Sequence, residues 1–209
     1  MTYRTRYILT PLLALALTGA ACGGSSEDPT EDAVLALSTL VVAAQQSAQR
    51  DSLPTVTAVD ASRYLGLWYE TYSLPQFFNT GCNCTTATYS LISEVAINVF
   101  NQCRLNSATG ELNTISGLGR IEPGTGNAKL RVTFDPVELF GGDYWILALN
   151  ENQPDYEYAL EGAPNRGSLF ILSRTRDLAD STEETLLALA ESLGFDRSAV
   201  TQTNQTGCP

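Results

Sequence analysis

From Pro54 to Arg174 the chain breaks into eight short runs rich in Val, Ile, Thr, Tyr and Phe, each bounded by turn-forming residues. That pattern constrains the fold more than any other feature of the sequence. The runs predict strands at Tyr64–Ser73, Thr85–Ser93, Ala96–Leu105, Leu112–Ile121, Lys129–Phe134, Tyr144–Asn150, Tyr156–Glu161 and Leu169–Arg174, with spacings that suit an all-β barrel or sandwich. The connections are short and carry Gly, Asn, Asp or Pro, as in Asn106–Gly110, Glu122–Asn127 and Gly162–Gly167. Such links join sequential antiparallel neighbours and are too short for parallel crossovers. An all-β, eight-stranded, antiparallel up-and-down barrel follows, with an interior sized for one small ligand. One C-terminal α-helix is expected after it. Ser181 with Glu184 reads as a capping box, Leu186, Leu187, Leu189, Ala190 and Leu193 form an apolar stripe, and Gly194 supplies the stop. A short tail strand at Ala199–Gln202 is also expected.

Before the strands, Arg4 and Arg6 precede an apolar run, Tyr7–Leu17, and the small residues Gly19, Ala20 and Ala21. This reads as a signal peptide over residues 1–21. The segment LTGAAC resembles a bacterial lipobox, which makes Cys22 the expected lipidation site and the new N-terminus. Gly23 in place of Asp at the next position then points to the outer membrane. A polar stretch, GGSSEDPTED, suits a tether. Residues 31–50 suit a short helix whose apolar core, Ala33–Ala44, falls short of the ~20 residues a span requires. The expected organisation is therefore a signal peptide, a lipidated tether with a possible short helix over residues 22–55, and a folded domain over residues 56–209.

The net charge of −11, or −13 once Arg4 and Arg6 are removed with a leader, argues against nucleic-acid binding. The chain has no histidine, which removes the commonest general base and most catalytic zinc sites. No Ser lies in a G-x-S-x-G elbow. No catalytic residue, cofactor or metal site is therefore expected.

Residues Arg63–Glu70 read RYLGLWYE, with Gly66 and Trp68 in G-x-W spacing at the head of the first strand. Together with PDYEYALEGAP and LFILSRT near the end of the domain, this resembles the lipocalin family. TATYSL, YWILAL, LGFD and TNQTGCP resemble in particular its bacterial outer-membrane lipoproteins and apolipoprotein D. The resemblance implies that Gly66, Trp68 and Arg174 build the barrel floor, with the guanidinium over the indole. It implies a ligand pocket at Tyr89, Asn101, Phe134 and Trp145, with Asn101 as the polar handle. Alternation along the first strand adds Glu70 and Tyr72 to the face of Trp68. The loop Ser73–Cys84 corresponds to the family's lid, with Phe77 and Phe78 placed to meet ligand or membrane.

Four cysteines remain beside Cys22, which suits two disulfides in an exported domain. The resemblance favours Cys84–Cys208, leaving Cys82–Cys103. Counting back from a turn near Glu94 places Cys103 opposite about Thr86, so Cys84–Cys103 with Cys82–Cys208 stays open. The expected function is binding, storage or transport of fatty acids or lysophospholipids, with the membrane reached through the lipid anchor and the domain in the periplasm. The alternatives are a lipocalin-fold enzyme acting on a lipid or carotenoid, and an envelope interaction protein with a filled barrel.

Overall fold

The computed structural model describes residues 29–51, 53–134, 141–150 and 155–209. The expected signal peptide and Cys22 lie outside the described residues. Two compact units divide at Leu40 and Val41. The 23-residue helix α1, Pro29–Asp51, extends the expected short helix at both ends, and its Val34, Leu35, Leu37, Leu40, Val41 and Val42 are exposed. Among the described residues, no helix is long and apolar enough to cross a membrane.

The remainder is a barrel. Asp60 caps a single turn, α2 (Ala61–Tyr64), by accepting from the Ser62 amide at 2.9 Å. The strands follow as β1 (Gly66–Ser73), β2 (Cys82–Ser93), β3 (Ala96–Leu105), β4 (Leu112–Ile121), β5 (Lys129–Thr133), β6 (Gly141–Leu149), β7 (Tyr158–Gly162) and β8 (Leu169–Ser173). Each pairs antiparallel with the next, and β8 and β2 both pair with β1, which closes the ring. Closure leaves no long unpaired edge. The first strand begins two residues later than the sequence suggests, because the Asp60 cap draws Tyr64 into α2. The seventh also starts two residues late. Tyr156 is held at the floor instead, where its hydroxyl accepts from the Asp60 amide.

A ninth strand, β9 (Thr201–Gln202), replaces β2 beside the far half of β1. The β1–β2 ladder ends at Tyr69↔Thr86, and β9 takes over at Tyr72 and Ser73. The tail then bonds β2 as well: the Cys84 amide donates to the Asn204 carbonyl at 2.8 Å, and Gln205 Nε2 donates to the Thr85 carbonyl at 2.8 Å. Cys84–Cys208 pins this wedge, and Cys82–Cys103 joins β2 to β3. The favoured pairing thus forms. The offset expected for Cys103 is halved by register shifts between Asn83 and Thr86 and between Leu91 and Ser93, and Cys82, whose register partner is Leu105, reaches Cys103 with a Cα–Cα distance of 5.4 Å.

Helix α3, Asp180–Ser192, follows the barrel as expected, but the Ser181–Glu184 capping box does not form. Ala179 is the N-cap, so Ser181 lies inside the first turn and Glu184 pairs with Arg197. Asp180 and Glu183 in that turn complement the positive end of the helix instead. Two apolar cores result. One fills the barrel around Trp68, Tyr89, Val99, Leu130 and Ile146. The other, around Leu160, Ile171, Leu186, Ala190 and Phe195, joins α3 to the barrel's outer face.

Candidate ligand-binding site

The floor is built from the segment before β1 and the residue after β8. Trp68 is fully buried, and its indole N–H donates to the Tyr64 carbonyl at 2.8 Å. The Arg174 guanidinium sits 3.8 Å from the indole centroid. Its nitrogens donate to the carbonyls of Leu67, Arg63 and Leu65 at 2.6, 2.8 and 2.9 Å. Gly66 adopts φ +96°, a left-handed conformation that glycine takes without strain, and its α-carbon faces the same guanidinium. These three residues lock the α2–β1 corner under the barrel, as the resemblance implies.

Cross-strand partners share a face of the sheet, so the register identifies the inner wall. Trp68↔Ala87↔Asn101↔Ile115 forms one inward row, and Gly66↔Tyr89↔Val99↔Gly117 forms another. Tyr89 and Asn101 therefore face inward, as expected. Asn101 Oδ1 is buried and has no hydrogen-bond partner among the described residues. Phe134 faces inward too. A Cβ on Gly117 would lie 2.6 Å from its ring, so glycine there makes room for the phenyl group. Phe78 stands at the mouth with its ring centroid 6.4 Å from that of Phe134, while Phe77 beside it is 92% exposed.

Two expected wall residues are elsewhere. Trp145 pairs with Lys129 and Gly162 and belongs to the outer core, with the Lys129 ammonium 3.7 Å from its ring centroid. Its neighbour Tyr144 pairs with Leu130 and takes the inward position. The strand begins at Gly141 rather than at Tyr144, and its phase is set by the β5 register, which places the bulkier aromatic outside. Tyr72 is displaced by a bulge: the β1–β8 register slips between Glu70 and Tyr72, reversing the face of everything beyond. Tyr72 consequently packs against α3 and donates to Glu183 at 3.0 Å.

Glu70 lies before the bulge and stays inside, 6% exposed. Its Oε1 accepts from Ser73 at 3.1 Å and from Thr203 at 2.6 Å, while Oε2 has no protein donor among the described residues. The tail wedge thus reaches the site through Thr203. A second interior acid, Glu161, pairs with Ile146 and Phe170 and is fully buried. Tyr64 donates to its Oε1, and its Oε2 has no partner among the described residues. Burial pushes the pKa of both carboxyls upward, countered at Glu70 by its two hydroxyl donors.

The phenols form a connected set. The Tyr64 and Tyr89 rings stack at 5.6 Å, and the Tyr89 and Tyr144 hydroxyls share a hydrogen bond of 2.7 Å. Burial raises the Tyr89 pKa, with Glu70's charge adding to it. Sequence reasoning did not assign Tyr64, Tyr144 or Glu161 to the site. An acid amid the apolar run of β7 was a visible signal for Glu161, whereas Tyr144 differed from Trp145 only by strand phase. Among the described residues, no cluster of three metal-ligating side chains occurs. The arrangement is an aromatic interior with carboxyl and amide handles, closed at the floor.

Comparison with known proteins agrees with this architecture. The profile of a lipocalin-like domain matches residues 59–205. The outer membrane lipoprotein Blc of Escherichia coli K12 is 34% identical over 168 residues, covering 80% of this chain and 92% of that protein. Mouse apolipoprotein D is 34% identical over 166 residues, covering 76% and 83%. Among solved structures, insecticyanin from the tobacco hornworm Manduca sexta superposes with a TM-score of 0.59 at 22% identity, covering 75% of this chain and 86% of that one, which speaks to the fold alone. By its closed eight-stranded barrel, its Trp68–Arg174 floor and its sequence, the chain belongs to the lipocalin family, whose barrels bind small hydrophobic molecules.

Proposed function

We propose that the barrel binds one single-chain amphiphile, a fatty acid or lysophospholipid, and stores or carries it at the cell envelope. The observation that carries this reading is the inward-facing aromatic set Tyr64, Tyr89, Phe134 and Tyr144 inside a closed barrel. Burying roughly 300 Å² of acyl surface at ~25 cal/mol per Å² contributes about 7 kcal/mol before ordering costs, which suits micromolar binding with little discrimination between chains. Asn101, Glu70 and the lid residue Phe78 are the proposed contacts nearest the head group.

The proposed location is the outer membrane of a bacterium, through acylation of Cys22 after removal of residues 1–21, with the domain on the periplasmic side. The lipobox-like LTGAAC supports it, as does similarity to a protein described as an outer membrane lipoprotein. Metabolic labelling with tritiated palmitate tests this, and label persisting in Cys22→Ser would overturn it. We assign no catalytic residue. Native mass spectrometry with oleate and lysophosphatidylethanolamine tests the carrier reading. One lipid per chain is expected for the wild type and for Trp145→Ala, with a reduced fraction for Tyr144→Ala. Absence of bound lipid in all three would mean a filled barrel.

A further inference from the structure

Among the described residues, the charged side chains at inward register positions on the strands are acids, while Arg63 and Arg174 stay at the floor, against the Tyr156 and Trp68 rings. Glu70 from β1 and Glu161 from β7 face inward. Every Lys and Arg on the described strands, namely Arg104, Arg120, Lys129 and Arg131, takes an outward register position. Arg174 lies against Trp68 with its donors spent on backbone carbonyls. Among the described residues, Glu161 Oε2 and Asn101 Oδ1 are buried without a hydrogen-bond donor, and both hydrogen bonds of Glu70 fall on Oε1, so each of these side chains keeps an oxygen that can accept. Around them stand the π faces of Tyr64 and Tyr89.

A buried carboxyl without a counter-charge is costly when ionised. A ligand carrying positive charge and N–H donors removes that cost and gains cation–π attraction to the phenols. A ligand carboxylate gains neither, and is repelled by any ionised acid in the wall. We infer that the barrel selects its amphiphile by head group, seating an alkyl-chain ammonium against the inward-facing carboxyl of Glu70. The inference rests on the proposed ligand-binding reading and narrows it: of the amphiphiles proposed there, it favours one with an ammonium head group, such as lysophosphatidylethanolamine, over a fatty acid.

The test is isothermal titration of the purified full-length protein with dodecylamine, dodecanol and dodecanoate, which share one chain and differ in charge. The amine is expected to bind about tenfold tighter than the alcohol at one per chain, and the carboxylate weakest. In Glu70→Gln, checked for folding by its melting temperature, the ratio of amine to alcohol affinity is expected to fall to about twofold. Adsorption to the acidic exterior would instead give several amines per chain and no response to Glu70→Gln, which would overturn the inference. So would dodecanoate binding as tightly as dodecylamine, a result that leaves the barrel a working carrier without this selectivity. Failure of all three probes to bind would overturn the ligand-binding reading itself. The wild-type series stands alone should the variant not fold.

Discussion

Arg174→Ala removes a clamp whose contribution can be worked from its geometry. The guanidinium makes three short charge-assisted bonds to the carbonyls of Leu67, Arg63 and Leu65, and one cation–π contact with Trp68 at 3.8 Å. A fully desolvated charged bond contributes about 1.5–3 kcal/mol. Arg174 is only half-buried, so the freed carbonyls regain some water and about 1 kcal/mol per bond is the fairer figure. With about 1 kcal/mol for the stacking, the expected loss is about 4 kcal/mol. At roughly 2–4 °C per kcal/mol for a chain of this size, the melting temperature should fall by about 8–16 °C in differential scanning calorimetry. Arg174→Lys keeps the charge but not the planar fork, so it should lose about half as much. A fall below about 3 °C for Arg174→Ala, or a Lys variant as stable as wild type, would refute the view that this side chain holds the α2–β1 corner.

Other perturbations have equally definite outcomes. Burial raises the Glu161 pKa above 4.5, so the folded state holds its proton longer than the unfolded one, and stability present at acid pH is lost as pH rises toward the folded pKa. Glu161→Gln keeps an acceptor for Tyr64 and should therefore gain in melting temperature over wild type from about pH 5 to pH 8; a gap constant across that range would contradict the assignment. Replacing both Cys84 and Cys208 by Ala opens a loop with a sequence separation of 124 and should cost about 2–4 kcal/mol in urea unfolding, with earliest hydrogen exchange at Thr203. Gly117→Val drives its side chain into Phe134 and the Thr133 carbonyl, and should lower ligand uptake and stability together, read by titration and calorimetry. Trp145→Ala should cost about 3 kcal/mol of stability through the outer core yet leave ligand affinity within about twofold, the reverse of what a wall residue would do.

Much of this molecule was legible in the chain because its signals are local. Alternation and turn residues gave all eight strands, with β3 and β4 correct to the residue, and Gly66, Trp68 and Arg174 stood where the floor requires them. The errors share a cause. A strand's side chains change face with a single-residue shift, and no local preference reports whether a bulge intervenes. One bulge after Glu70 carried Tyr72 outside, and one step of phase in β6 exchanged Trp145 for Tyr144.

The amino-acid sequence by itself therefore determined the barrel, its antiparallel order, its helix and the aromatic character of its interior, because these follow from periods and turns within a few residues. Only the tertiary structure decided which aromatics line the wall, that the tail wedges between β1 and β2 to give Thr203 to Glu70, and that two carboxyls face the interior while every Lys and Arg of the described strands faces out. Those facts depend on register between strands far apart in the chain, which is fixed when the barrel closes and its core packs, and not before.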